Sequence, residues 1–81
     1  MGRKHALTSR ELMVLRLLAG GLRDRQIANR LGLSVRTVQH YVSNILSKLE
    51  AETRTEAVRN ALANGLIVFD PETADFSESR R

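Results

Sequence analysis

Between Asp24 and Glu50 a short amphipathic stretch, a glycine break and a longer amphipathic stretch follow one another directly. This arrangement constrains the fold more than any other feature of the 81 residues. Ile27, Ala28 and Leu31 form one apolar edge of a helix predicted over about Asp24–Leu31, with Asp24 expected at its N-terminus by capping and by the helix dipole. Gly32 ends that helix, because a left-handed turn residue costs least as glycine. Ser34 caps a third helix expected to reach about Glu50. Its Val38, Val42, Ile45 and Leu49 recur at i, i+4, i+7 and i+11 and so share one face. Two helices joined through Gly32-Leu33-Ser34 have the layout of a helix-turn-helix. Ala28 is small where the helices cross, Gly32 takes the turn, and Val38 anchors the second helix on the first.

The flanks supply two more helices. Thr8-Ser9-Arg10-Glu11 reads as a capping box, with hydroxyl and carboxylate each accepting from the other residue's amide. Leu12, Leu15, Leu18 and Ala19 follow at helical spacing, and Gly20-Gly21 stops the run. A fourth helix starts near Thr53 and carries Ala57, Val58, Ala61 and Leu62 on one side, with Gly65 closing it. The apolar run Leu66-Ile67-Val68-Phe69 is placed to fold back onto the core, and Asp70-Pro71 breaks any helix. The expected architecture is an all-α four-helix bundle. Residues 1–7 form a basic lead-in, 8–69 the domain, and 70–81 a polar tail expected to be poorly ordered. No strand pattern competes.

Composition removes several function classes. There is no Cys and there are only two His, so neither a disulfide nor a zinc site is expected, and no carboxylate cluster makes up the shortfall. No apolar run approaches the roughly 20 residues of a membrane-spanning helix, and no signal peptide is expected. A core this small supplies only about 3–5 kcal/mol, and a deep catalytic pocket is hard to enclose in such a chain. His40 has no nucleophile or orienting carboxylate placed with it, and His5 reads as an incidental surface residue. With no triad, metal site or phosphate-cradling loop, the expectation is a non-enzyme without a cofactor.

The charge is unevenly spread. Residues 1–49 carry nine basic residues against Glu11 and Asp24, a net of +7, whereas residues 50–81 carry four against seven acids, a net of −3. A positive end of this kind points to an anionic partner, phosphate first. A merely solubilising basic surface is the alternative.

On the third helix, Arg36, His40, Ser43 and Ser47 fall opposite the apolar stripe, with Gln39 and Asn44 beside them. That face has no acid and no large apolar residue. Its hydrogen-bonding side chains suit a helix in the DNA major groove, where Arg reads guanine O6 and N7 and Gln reads adenine N6 and N7. A plain solvated face would more often carry Glu and Lys. Amides near Val35–Thr37, the Ser34 and Thr37 hydroxyls and Arg36 form one candidate phosphate site, and Arg23 with Arg25 another. Tyr41 sits at the edge of the stripe, where core packing is the default, with its hydroxyl as a further candidate phosphate contact.

Leu7-Thr8-x-Arg10-Glu11, Ile27-Ala28-x-x-Leu31-Gly32-Leu33-Ser34-x-x-Thr37-Val38, Asn44-Ile45-Leu46-x-Lys48-Leu49 and Arg54-Thr55-Glu56-Ala57 together resemble the LuxR-type helix-turn-helix domain. This domain is also called the GerE or NarL/FixJ-type effector domain. The resemblance covers about residues 6–68. It implies a four-helix bundle and a bacterial, cytoplasmic, sequence-specific transcription regulator. Its third helix would enter the major groove of double-stranded DNA, and its fourth would form the contact of a homodimer on inverted half-sites. RNA polymerase is a candidate further partner, and no membrane or small-molecule ligand is implied for the domain itself.

Members of this family usually carry the domain at the C-terminus of a longer regulator, behind a receiver or ligand-binding domain, and some stand alone. By position, base-facing roles fall on Gln39, His40 and Ser43, and phosphate roles on Arg25, Thr37, Arg36 and Lys48. The chain has Gln39 where the family usually has Lys and Tyr41 where it usually has His. Arg23-Asp24-Arg25-Gln26 replaces the usual Ser/Thr-Asn-Lys-Glu entry to the second helix. Outside its inner stripe, helix four is expected to offer Glu56, Arg59, Asn60 and Ala63 for a dimer contact. That surface is small and polar, as in a weak, DNA-assisted dimer. The rival reading is a helical protein-interaction module, supported by the helix-four face and the Leu66–Phe69 run.

Overall fold

The computed structural model describes residues 6–78. Four helices, α1 (Ser9–Ala19), α2 (Asp24–Leu31), α3 (Val35–Lys48) and α4 (Arg54–Ala63), precede two short strands, β1 (Ile67–Asp70) and β2 (Asp75–Glu78). Arg3, Lys4 and His5 of the basic lead-in lie outside the described residues.

Each helix start follows from its local sequence. At α1 the capping box forms in full: the Thr8 amide donates to Glu11 Oε1 at 2.8 Å, and the Glu11 amide donates to Thr8 Oγ1 at 3.1 Å. At α3 the Ser34 hydroxyl accepts from the Thr37 amide at 3.0 Å, and at α4 Thr53 Oγ1 accepts from the Glu56 amide at 3.0 Å. The start of α2 differs from the sequence expectation. Arg23 occupies the cap position and Asp24 is the first helical residue. The Gln26 side chain reaches back to accept from the Arg23 amide at 2.8 Å, the return limb of a capping box. Gly32, with φ of 70°, takes the left-handed turn between α2 and α3. Helix α3 ends at Lys48, two residues short of expectation, because Glu50 itself turns left-handed at φ of 54°.

The core is one cluster built from all four helices and β1. Val14, Leu15, Ile27, Val38, Ile45, Ala57, Ala61 and Ile67 are fully buried, and Leu18, Ala28, Val42 and Leu49 nearly so. The whole predicted stripe of α3 is therefore inside. Leu62, grouped by spacing with the inner side of α4, is 41% exposed and belongs to the outer surface instead.

The C-terminal segment departs most from expectation. Instead of an all-helical domain with a loose tail from residue 70, β1 and β2 pair antiparallel with Phe69 opposite Phe76 and Asp70 opposite Asp75. The Phe69 and Phe76 rings meet edge to face at 5.2 Å, a favourable aromatic geometry. Arg16 Nε donates to the Phe76 carbonyl at 3.3 Å, tying β2 to α1. The Asp70 carboxylate organises the turn by accepting from the Glu72 amide at 3.0 Å. Asp70-Pro71 thus opens a hairpin turn rather than a tail.

One ion pair is set into the core edge. Lys48 Nζ lies 2.8 Å from Glu11 Oε1, joining the end of α3 to the start of α1, and the Glu11 side chain is only 5% exposed. Burial alone pushes the Glu11 carboxyl up. The hydrogen bond from Lys48, the Thr8 amide and the Lys48 charge together outweigh it and hold the group below its ordinary value. Removing Lys48 leaves a buried carboxylate short of a partner, so Lys48→Ala is expected to cost about 1–3 kcal/mol in denaturant unfolding. The folded state holds its protons less tightly at Glu11 than the unfolded chain. Stability from this group is complete above the ordinary carboxylate range and is lost as the pH falls through the folded value. Thermal melts of the parent should drop steeply on acidification through that range, and Glu11→Gln should flatten the drop.

Candidate nucleic-acid interface

Because Val38, Val42, Ile45 and Leu49 face the core, the opposite side of α3 must face outward. Arg36, Thr37, Gln39, His40, Ser43, Asn44 and Ser47 are all exposed on it. No acidic side chain lies within α3. The four residues expected to meet bases, Arg36, Gln39, His40 and Ser43, thus share one solvent-facing surface. Tyr41 is half-buried and packs against the core, as its position at the stripe edge predicts.

The residues expected to meet phosphates divide into two sets. Arg23, Arg25 and Thr37 are exposed. The first amides of α3 point out of the helix end with no intrahelical acceptor. Ser34 is committed to the helix: besides capping, its hydroxyl lies 2.9 Å from Thr37 Oγ1 and donates to it, which leaves the Thr37 proton as the outward donor. Lys48 does not stand bare on the α3 surface, because its ammonium is engaged by Glu11. This contact gives it a structural part beside the phosphate role that the resemblance implies.

On helix α4, two of the residues expected at a dimer contact make hydrogen bonds within the chain. Glu56 folds back to accept from the Glu52 amide at 2.9 Å, and Asn60 Nδ2 donates to the Leu49 carbonyl at 3.0 Å. Both therefore support the α3–α4 connection. Arg59 and Ala63 are exposed as expected. Thr55, Val58, Arg59 and Leu62 of α4 form a shallow, mostly apolar groove with Leu18 and Ala19 of α1.

A second tie crosses the base of this surface. Arg54 at the start of α4 makes two hydrogen bonds to Asp24 at the start of α2, Nη1 to Oδ1 at 2.6 Å and Nη2 to Oδ2 at 3.0 Å. The Arg54 hydrogen bonds hold the Asp24 carboxyl below its ordinary value against the opposing effect of burial. The Arg54 charge adds to this. The same contact raises Arg54. Sequence spacing does not reveal this pairing, since 30 residues separate its members. The one available signal is that Asp24 is the sole acid between residues 12 and 49. Among the described residues no group of His, Cys, Asp and Glu is arranged to hold a metal ion, and no helix is long and apolar enough to cross a membrane.

Comparison with known proteins gives a consistent picture. The family model for bacterial regulatory proteins of the luxR family, GerE, matches residues 5–61. The transcriptional regulatory protein YdfI of Bacillus subtilis is 44% identical over 64 residues, which is 79% of this chain and 30% of that protein. The response regulator protein VraR of Staphylococcus aureus is 46% identical over 61 residues, 75% of this chain and 29% of that protein. The chain thus spans under a third of these relatives. Among solved structures, the transcription factor GerE superimposes with a TM-score of 0.69 at 32% identity, over 73% of this chain and 88% of GerE. The VqmA dimer of Vibrio cholerae, described with the LuxR-type receptors, reaches 0.72 at 37% identity, over 74% of this chain and 27% of that one. The β-hairpin lies beyond the residues matched by the family model. With its buried α3 stripe, bare α3 outer face and family match over most of its length, the chain belongs to the luxR family of bacterial regulatory proteins, DNA-binding transcription regulators rather than enzymes.

Proposed function

We propose that this domain regulates transcription by laying α3 in the major groove of duplex DNA. Arg36, Gln39, His40 and Ser43 face base edges, and Arg23, Arg25, Thr37 and the first amides of α3 face phosphates. The observation that carries this reading is the outer face of α3, which is exposed, free of acids and rich in hydrogen-bonding groups. Phosphate neutralisation supplies most of the affinity, and the α3 side chains select the sequence.

In this reading two copies of the domain bind inverted half-sites. The groove between α1 and α4 is the surface that suits a second copy, because Val58 and Leu62 place apolar area there with Arg59 at the rim. The dimeric state of the VqmA structure supports a second copy. Arg59 and Ala63 are exposed beside it, and Glu56 and Asn60, each hydrogen-bonded within the chain, lie on the same helix. The surface is modest in size, so the dimer forms mainly on DNA.

Duplexes selected from a random pool, followed by binding titrations at two salt concentrations, test the reading. Arg36→Ala or His40→Ala should weaken binding to the selected site by about 1–3 kcal/mol and relax discrimination. Binding equal to the parent's would contradict the placement of α3. Arg25→Ala should weaken all sequences alike and lower the slope of log affinity against log salt by about one unit, whereas a loss confined to the selected site would remove its phosphate role. Leu62→Lys should reduce cooperative binding to paired half-sites and leave single half-site affinity unchanged. Undiminished cooperativity would move the dimer contact elsewhere.

A further inference from the structure

Asp24 sets two requirements against each other. It is the first residue of α2, where a carboxylate suits the positive end of the helix. It is also the only acid from residue 12 to residue 49, and it stands in the chain between Arg23 and Arg25, both exposed and both assigned to phosphate. A free carboxylate at that place repels DNA. It also accepts charge-assisted hydrogen bonds from guanidinium groups, as phosphate does, so it competes for the side chains that phosphate needs.

A residue from another helix resolves the conflict. Arg54, the first residue of α4, donates from Nη1 to Asp24 Oδ1 at 2.6 Å and from Nη2 to Oδ2 at 3.0 Å. One planar fork thereby engages both carboxylate oxygens, which a lysine cannot do. The Asp24 side chain is left only 17% exposed, whereas that of Arg54 is 45% exposed. Among the described residues, neither Arg23 nor Arg25 has an ion-pair partner. A pair this open to solvent adds little to stability. Its larger consequence is for the charges around it.

We propose that Arg54 is a positioning residue for DNA binding: by holding both oxygens of Asp24 it withholds that carboxylate from Arg23 and Arg25 and leaves the two guanidiniums to phosphate. Arg54 touches no DNA in this arrangement. It acts through Asp24, from 30 residues away in the chain. The helix keeps the acid that suits its start, and the surface keeps its positive charge. The proposal rests on the reading of α3 in the major groove with Arg23 and Arg25 on the backbone. It adds a determinant of affinity that lies outside the helix-turn-helix.

The test measures binding of the whole chain to a duplex carrying one half-site, so that contact between copies plays no part. Affinity is followed across a range of salt concentrations. Arg54→Ala should weaken binding several-fold for all sequences alike and lower the slope of log affinity against log salt by about one unit. Arg54→Lys keeps the charge but loses the fork, and it should still bind more weakly than the parent. Adding Asp24→Asn to Arg54→Lys should restore the parent's affinity, because no carboxylate then competes. Arg25→Ala should cost much less in the Arg54→Ala background than in the parent, since Asp24 already occupies the freed guanidiniums there.

Equal binding by Arg54→Lys and the parent would overturn the proposal, because charge alone would then account for Arg54. An Arg25→Ala loss of the same size in both backgrounds would overturn it as well. So would a loss in Arg54→Lys that Asp24→Asn does not repair, which would make Arg54 a direct phosphate contact or a support of the fold. These outcomes leave the major-groove reading intact. Failure of the parent itself to bind any duplex would refute that reading, and this proposal with it.

Discussion

Burial of a single apolar stripe determines what this domain presents to its surroundings. Val38, Val42, Ile45 and Leu49 can reach the core only if α3 turns that face inward, and each is at most 8% exposed. Rotating the helix would expose several aliphatic side chains, each worth about 1.5–3 kcal/mol when buried. In a domain with so few buried residues no other packing compensates. The orientation of the outer face is therefore enforced by the inner one, and the polar surface from Arg36 to Ser47 is held outward without needing contacts of its own.

Two ion pairs tie the helices to one another. Lys48, in the last turn of α3, lies where a cation also suits the helix dipole, and it meets the carboxylate that caps α1. Asp24 and Arg54 join the starts of α2 and α4. Glu11 serves two purposes, because the same oxygen, Oε1, accepts from the Thr8 amide and from Lys48. A capping box that reads as purely local in the sequence is thus also a tertiary contact between the first and third helices.

Much of this is legible in the sequence alone. The i, i+4, i+7, i+11 stripe gave the inward face of α3, Gly32 the turn, and Thr8, Ser34 and Thr53 the starts of three helices, because each of these signals is local. The features that local spacing does not reveal depend on distant partners. Asp24 looks like a cap, but Arg54 draws it into an ion pair, while Gln26 satisfies the Arg23 amide. Lys48 looks like a free cation until Glu11 is brought beside it, and the hydrogen bonds of Glu56 to the Glu52 amide and of Asn60 to the Leu49 carbonyl are equally invisible to spacing. The hairpin is not legible in the sequence because Asp70-Pro71 signals a break of either kind. The pairing of Phe69 with Phe76 across that break, and the docking of Phe76 by Arg16, decide the matter through tertiary contact.

The hairpin completes the core without touching the α3 surface. Ile67 is fully buried, whereas Val68 and Phe69 remain 43% and 51% exposed at its outer edge. The domain therefore separates its tasks in space, with α1, α4 and the hairpin on the supporting side and α3 on the reading side. The most direct measurement of that division is NMR mapping of backbone amides during titration with a selected duplex. The account predicts large shifts from Ser34 to Ser47 and near the start of α2, with β1 and β2 unmoved. Shifts concentrated in the hairpin or the α1–α4 groove, with the outer face of α3 silent, would contradict it.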